Sequence, residues 1–497
     1  MRRWSTAILD VIPPAVRVGV LGVFVGIALG LATAAATPLY VVAGLIGLDG
    51  QSVVLSDVRF GFIGFVAVAT LLPFGVIPVP VGAVKLTLID ACLTAVLLIV
   101  FLRPLANPRI RFLSSGVDVP VLLFISVCLA AFVLGTAYQT TSADARLFMK
   151  LINSIIFFFS VVNGVRDLKT VERIMLAFVA GGAVAAIVGI ILYFLPAHTS
   201  THLLGSLAHI GYPDANILQY NPGTTVQRAI GTSIDPNILG ATLMMCGSIA
   251  VGLYFLPRSR MYRLNLIASL GLMLAALLLT YSRGSLIGFV AGCAVVASLR
   301  YRRLWVIGGL IAIAVVLSPQ LIQSSFVTHL ESGIEVKDQA AAMRLGEYKD
   351  AMRLIVQYPW LGVGFGGAPD VNLYVGVSSI YLLLAEQVGL IGLAIWLWGV
   401  GSIAWKGLRF ALQQYDEAST MVLAALAALI SALVAGLFDH HFVDLHFPHV
   451  VAMVWMIAGL LIVGIRLGSI ASPEPASDSN DSNELVQVAP LAGARGL

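Results

Sequence analysis

Charged residues are scarce in this chain. Asp, Glu, Lys and Arg make up 11% of its 497 residues, whereas hydrophobic residues make up 59%. A soluble fold of this length does not need so much apolar surface. Apolar runs of about 17 residues or more recur between Val18 and Val463, without the polar alternation of membrane barrel strands. The composition therefore excludes a soluble protein and predicts an all-α, polytopic transmembrane fold.

Cysteine is also rare, and signatures of soluble enzymes are missing. The four cysteines lie inside apolar runs without CxxC or His–Cys spacing, which excludes a disulfide framework and a zinc site of that kind. No GxSxG elbow, HExxH motif, P-loop or nucleotide fingerprint occurs in a suitable context. We therefore expect no cofactor and no nucleic-acid partner.

Hydropathy predicts about 12–14 membrane-spanning helices. They cover residues 18–35, 37–48, 60–80, 84–101, 117–137, 147–163, 174–195, 233–255, 264–281, 284–299, 304–317, 379–403, 419–438 and 447–465. If the chain starts inside, one side of the membrane holds 20 of the 29 Lys and Arg residues. Because cytoplasmic loops are rich in Lys and Arg, both termini are predicted to be cytoplasmic.

These spans divide the chain into seven regions. Residues 1–17 form a cytoplasmic N-terminus, 18–195 an N-terminal transmembrane region, 196–232 a first outer loop, 233–317 a central transmembrane region, 318–378 a large outer loop, 379–465 a C-terminal transmembrane region and 466–497 a disordered cytoplasmic tail.

The large outer loop has the clearest sequence pattern of a structure outside the membrane. Residues 340–356 have helical periodicity, and Tyr358-Pro359 ends the helix. Gly364 and Gly366 follow, and glycine can take positive φ and approach a ligand closely. A simple helix end and turn is the alternative interpretation.

Two arginines fall near the predicted outer boundary, Arg228 just before a span and Arg283 between two spans, and Arg344 lies in the large outer loop. A single arginine there either reaches to the interface or holds an anion. Three guanidinium groups converging on one cavity suit a diphosphate, because each offers planar bidentate donors. Nearby, Asp235-Pro236 is typical of a helix N-cap with proline at the first helical position.

The last outer turn is rich in His and Asp. Its candidate ligands are Asp439, His440, His441, Asp444 and His446. Their spacing matches no standard site, so we expect no metal.

Four motifs in order resemble the O-antigen ligase/polymerase superfamily of bacterial envelope glycosyltransferases. They are RAIGT from Arg228 with Asp235-Pro-Asn237, LTYSRG ending at Gly284, Arg344 ahead of YPWLGVGFG, and SIYLLLAEQVGLIG from Ser379. Together they cover roughly residues 226–392. The resemblance implies an undecaprenyl-diphosphate glycan as donor, a glycan or glycolipid as acceptor, and an outer active site without metal or nucleotide.

The predicted site combines the arginines with residues of these motifs. The catalytic candidates are Arg283, Arg344 and Glu386. The substrate-binding candidates are Arg228, Asn237, Ser282, Gly364, Gly366, Ser378 and Tyr381.

One position departs from the family. Its ligases commonly carry His-Asn where this chain has Ser378 and Ser379. Serine has no useful pKa near neutrality and cannot replace histidine as a general base. Three accounts stay open: a polymerase-type or other transferase that relies on arginine electrostatics, a base supplied by His329 or His440, or weak catalysis.

Other functions also fit many spans and boundary arginines. A transporter or flippase for a lipid-linked or anionic substrate is one alternative, and a non-catalytic glycan-assembly protein is another. The sequence shows no inverted repeats or matching broken helices, which argues against a transporter. The preferred location is the bacterial cytoplasmic membrane, surrounded by lipid, with the active face extracytoplasmic. Ligase or polymerase activity, and the oligomeric state, stay open.

Overall fold

The computed structural model describes residues 57–77, 86–106, 111–135, 137, 140–213, 217–221, 225–316, 339–367 and 376–471. The described residues form 14 α-helices: α1 (Val58–Leu71), α2 (Leu88–Ala106), α3 (Asp118–Gly135), α4 (Ser142–Gly164), α5 (Leu168–Phe194), α6 (Ala197–Gly205), α7 (Pro236–Leu253), α8 (Arg260–Leu279), α9 (Arg283–Leu299), α10 (Arg303–Val316), α11 (Gln339–Gln357), α12 (Ile380–Gln413), α13 (Glu417–Ala435) and α14 (Pro448–Ala471).

The helices confirm the predicted all-α membrane fold. Eight of those described are long and apolar enough to cross a membrane, and α1 and α9 are shorter apolar helices. Twelve lie at the positions of predicted spans, and α6 and α11 lie in the predicted outer loops. The predicted spans 18–35 and 37–48 lie outside the described residues.

Some helix ends differ from the hydropathy prediction, and local chemistry explains them. Helix α1 ends at Leu71 rather than near residue 80, because Pro73 cannot continue it. Helix α2 starts only at Leu88, where Thr87 and Asp90 exchange side-chain and backbone hydrogen bonds. Helix α14 continues to Ala471, beyond the predicted boundary at 465.

Helices α7, α13 and α14 form the most buried part of the bundle. Helix α13 packs against α7 and α9, and α14 packs against α4 and α13. The backbones approach closely at Gly252, where a side chain would collide with Ala424. Beside this contact the hydroxyls of Ser248 and Ser431 hydrogen-bond at 2.8 Å, so the polar atoms between α7 and α13 have partners away from water.

Arginines at one end of the bundle hold its helices together. Arg258 forms ion pairs with Glu172 at 2.8 Å and Glu417 at 2.6 Å. Arg300 donates to the backbone carbonyl of Ala411 at 2.7 Å, and Arg466 donates to that of Val162 at 2.8 Å. The loops predicted to be cytoplasmic therefore meet at one end.

Helix α12 is broken at Gly389, which has φ 70° and ψ −179°. The loop after α11 pairs with the break: Val363 N donates to Glu386 O at 2.9 Å, Gly364 N to Gln387 O at 3.0 Å, and Leu390 N to Pro359 O at 2.7 Å. Backbone groups freed inside an apolar span need such partners. The sequence did not predict this break. Backbone groups of the YPWLGVG segment bind the backbone groups that the break leaves free.

Candidate functional site

The candidate site lies at the end of the bundle opposite the basic loops. Five helix ends meet there: α8 and α13 finish, and α7, α9 and α12 begin. Ile380 N donates to Gly436 O at 2.8 Å, which joins the start of α12 to the end of α13. Ala229 N donates to Leu279 O at 2.8 Å, which joins the Arg228 loop to the end of α8. Side chains from distant parts of the sequence are thereby assembled.

Arg228 is fixed by two hydrogen bonds from its guanidinium group. Nε donates to the backbone carbonyl of Thr280 at 2.8 Å, and Nη2 donates to Oδ1 of Asn237 at 2.7 Å. Asn237 stands in the first turn of α7, where Asp235 is the predicted N-cap and Pro236 is the first helical residue. The N-cap prediction is confirmed, and the cap sets Asn237 to orient Arg228.

Charges around Arg228 show which groups are its neighbours. Burial is the main effect and lowers the pKa of Arg228 to about 10. The carboxylates of Asp235 and Asp439 oppose this shift, whereas the cations of Arg344 and Arg283 add to it. Arg283 and Arg344 are therefore both within electrostatic reach of Arg228, as are the two carboxylates.

Arg283 reaches this place through a tight turn between α8 and α9. Tyr281 has a φ of 52°, unusual for a residue other than glycine, and reverses the chain. Ser282 follows as the N-cap of α9 and donates to the hydroxyl of Ser285 at 2.9 Å. Gly240 of α7 lies against both serines, since a side chain there would collide with Ser285. This close packing sets the start of α9, and Arg283 with it, beside the start of α7.

Arg344 enters from α11, the predicted amphipathic helix, which the structure confirms over Gln339–Gln357. Burial raises the pKa of Tyr348, while Arg344 lowers it and Glu347 and Asp439 raise it. Tyr348 is therefore within electrostatic reach of both the α11 charges and Asp439.

Ser378 is bound to α11 rather than exposed. Its hydroxyl donates to Oε2 of Glu347 at 2.7 Å, and its backbone N–H donates to the same oxygen at 3.1 Å. The Tyr348 hydroxyl donates to the Ser378 carbonyl at 3.4 Å. Sequence reasoning missed Glu347, and its place one turn after Arg344 was the available signal.

The turn between α13 and α14 forms a buried ionic cluster. Nε2 of His441 lies 3.0 Å from Oδ1 of Asp439 and 3.9 Å from Oδ1 of Asp235. Burial is the largest single effect and raises the pKa of Asp439, but the charges and hydrogen bonds of His441 and His440 together leave that pKa below its usual range. Burial is also the largest effect on His441 and lowers its pKa, and Asp439, Asp235 and Asp444 together more than reverse that effect. Each member of the His441–Asp439 pair therefore favours the charged form of the other.

The same turn brings together atoms that could coordinate a cation. Asp439, His440 and His441 each offer one ligand atom, all within 4.8 Å of one another. Nε2 of His440 lies 3.0 Å from Oδ2 of Asp444. A carboxylate in this position commonly orients a histidine that binds a metal. The prediction of no metal rested on sequence spacing alone and stays a prediction.

The remaining predicted site residues, Glu386, Tyr381, Gly364 and Gly366, do not take part in the two hydrogen bonds of Arg228. Glu386 is buried in α12, where Oε1 accepts from Gly376 N at 3.3 Å and Oε2 has no hydrogen-bond partner among the described residues. The Tyr381 hydroxyl donates to Leu433 O at 2.8 Å, which ties α12 to α13. Side chains at Gly364 and Gly366 would collide with α3 and with Thr140, so close packing accounts for both glycines.

The geometry suits an anion. Guanidinium groups present fixed forks of donors, and Arg228 is already oriented by Asn237 and Thr280. The start of α9, whose N-cap Ser282 makes no side-chain cap hydrogen bond, adds backbone N–H groups at the same end, whereas the first N–H groups of α7 bind Asp235. Asp439 and Asp235 limit the excess positive charge.

Comparison with known families gives one match. Residues 268–397 match the family model described as O-antigen ligase, a segment that runs from α8 into α12 and includes Arg283, Arg344 and Glu386. Comparison with curated proteins finds no match. The matched segment contains three of the four motifs behind the predicted resemblance, and the Arg228 motif precedes it. Residues 268–397 are thus similar to the O-antigen ligase family, which confirms the predicted resemblance to the O-antigen ligase/polymerase superfamily and supports a multi-pass membrane enzyme of that kind.

Proposed function

We propose that this protein transfers or polymerises glycan carried on undecaprenyl diphosphate, at the outer face of the bacterial cytoplasmic membrane. The observation that supports the proposal best is the grouping of Arg228, Arg283 and Arg344 at one end of the bundle. That end is opposite the Lys- and Arg-rich loops, which the positive-inside rule assigns to the cytoplasm.

The arginines would act on the leaving group. Transfer breaks the bond between the sugar C1 and the diphosphate, so negative charge grows on the phosphate oxygens while C1 becomes oxocarbenium-like. Fixed cations that are oriented before the reaction stabilise such charge without reorganisation. Arg228, Arg283 and Arg344 would form the diphosphate clamp, with Asn237 and Ser282 supporting the first two.

The remaining predicted residues have supporting roles in this proposal. Ser378 and Tyr381 hold the start of α12 next to α11 and α13. Gly364 and Gly366 allow the loop after α11 to pack closely against α3 and Thr140. Glu386 stays a candidate for activating the acceptor, a glycan or glycolipid hydroxyl. No step needs a metal or a nucleotide.

The test is a transfer assay in proteoliposomes with a glycan on undecaprenyl diphosphate. Wild-type protein should form the extended or transferred glycan, and Arg283→Lys should lose most of that rate, because lysine keeps the charge but lacks the fork. The matched control is Arg353→Lys, since Arg353 lies on α11, is exposed and pairs with Asp350 at 3.3 Å. Equal rates for wild type and Arg283→Lys would contradict the clamp, and no transfer by wild type would contradict the function.

A further inference from the structure

We propose that Glu347 is the base that activates the acceptor hydroxyl, held in position by Ser378. This inference rests on the proposed transfer reaction and adds the group that receives the proton. Nothing in the family comparison assigns a role to this residue.

Two hydrogen bonds aim the Glu347 carboxylate. Ser378 donates its hydroxyl at 2.7 Å and its backbone N–H at 3.1 Å, both to Oε2. Oε1 accepts no hydrogen bond from the described residues, and Glu347 is only partly buried. One oxygen is thus fixed by the protein, and the other can accept a proton from a hydroxyl.

The carboxylate lies beside the cluster that would hold the donor. Glu347 follows Arg344 by three residues on α11, so the two side chains leave neighbouring positions on the helix surface. Ser378, which binds Glu347, lies two residues before Ile380, and Ile380 N donates to Gly436 O at the end of α13, three residues before Asp439. Tyr348 is within electrostatic reach of Arg344, Glu347 and Asp439, and Arg344 and Asp439 are within reach of Arg228.

Glu386 is the carboxylate that the sequence favoured for this role, and its surroundings suit the role less well. Its side chain is 1% exposed within α12. It accepts from the backbone of Gly376 at 3.3 Å, and its charged neighbours are the acids Asp350 and Glu347 rather than an arginine. A substrate hydroxyl reaches Glu347 more easily.

The step balances without another reactant. The acceptor oxygen forms a bond to C1 of the donor sugar, and the bond from C1 to the diphosphate oxygen breaks with its electron pair on the leaving lipid diphosphate. The acceptor proton passes to the Glu347 carboxylate, which later releases it to water. General base catalysis of this kind contributes roughly 10²- to 10⁴-fold.

The discriminating variant is Glu347→Gln. The glutamine carbonyl still accepts both hydrogen bonds from Ser378, so the attachment of α11 to α12 is kept while the proton acceptor is lost. We expect kcat for transfer to fall roughly 10²- to 10⁴-fold, with unchanged binding of undecaprenyl diphosphate and unchanged thermal stability.

Controls separate a base from a structural contact. Asp350→Asn, on the same helix one turn later and paired with Arg353, should keep wild-type transfer. Adding formate to Glu347→Ala should restore part of the rate, because a free carboxylate can enter the space left by the side chain.

The inference is overturned if wild-type protein transfers glycan and Glu347→Gln does so within a few-fold of its rate, or if formate gives no rescue. Loss of folding in Glu347→Gln, seen as a lowered melting temperature, would assign the residue to structure instead. If wild-type protein transfers nothing, the proposed function itself fails, and this assignment fails with it.

Discussion

Replacing Arg228 with lysine tests the electrostatics of the site most closely. Arg228 uses Nε and Nη2 to bind Thr280 and Asn237 at 2.8 and 2.7 Å, and in the proposed site its Nη1 group faces the anion. A lysine ammonium is a single point on a flexible stem and cannot reproduce this fork. Arg228→Lys therefore keeps the formal charge but loses orientation.

The size of the effect follows from two contributions. A hydrogen bond to a charged group is worth roughly 1.5–3 kcal/mol, so one lost contact in the transition state should slow transfer by about 10- to 150-fold. Burial also lowers the pKa at this position, to about 10 for arginine. The same burial would lower the pKa of a lysine there below its ordinary value of about 10.4. The lysine would then lose charge at alkaline pH, and transfer would slow further.

The assay is glycan transfer by purified protein at several pH values between 7 and 9. Wild type should change little, because arginine stays charged over this range, whereas Arg228→Lys should be slow at pH 7 and slower still at pH 9. The Arg353→Lys variant is the control, because its transfer rate gives the pH dependence of a protein whose site is unchanged. A lysine variant with wild-type rate, or with no additional loss at alkaline pH, would refute the account of a buried, oriented cation.

Three further predictions concern topology, metal and the broken helix. A cysteine at Lys349 should react with an impermeant thiol reagent in intact cells and one at Arg302 should not; the reverse result would place the site on the cytoplasmic face. EDTA should leave transfer intact, and a loss that one divalent ion restores would show that the ligand atoms around Asp439 hold a required metal. Gly389→Ala should lower the melting temperature, because Gly389 has φ 70° and a side chain would collide with the backbone of Trp360, whereas Gly401→Ala in open space on the same helix should be neutral or stabilising.

Much of the fold follows from the sequence because a membrane span needs about 20 apolar residues in one helix. Local sequence patterns also predicted the structure correctly where the two interacting groups are close in the chain. The Asp235-Pro236 cap is an example, since the side chain and the backbone it caps are three residues apart or fewer. The break in α12 could not be predicted in this way, because its partners lie in the loop that follows α11.

The same difference between local and distant partners applies to the candidate site. Arg228 and Arg283 could each be selected from a place at a span boundary and Arg344 from the outer loop, and in the structure Arg283 and Arg344 are within electrostatic reach of Arg228. The role of Glu347 depends on Ser378, 31 residues later, and that of Asp439 on Asp235 and Arg228, about 200 residues earlier. Such pairs carry no signal in a single sequence until the helices are packed.

The central claim is that Arg228, Arg283 and Arg344 bind the diphosphate of the donor. The most direct measurement is equilibrium binding of undecaprenyl diphosphate and undecaprenyl monophosphate to the protein in nanodiscs. Wild type should prefer the diphosphate by about tenfold or more, and lysine at any of the three positions should remove that preference while leaving the protein folded. Equal affinity for the two lipids, or a preference that survives all three substitutions, would contradict the claim.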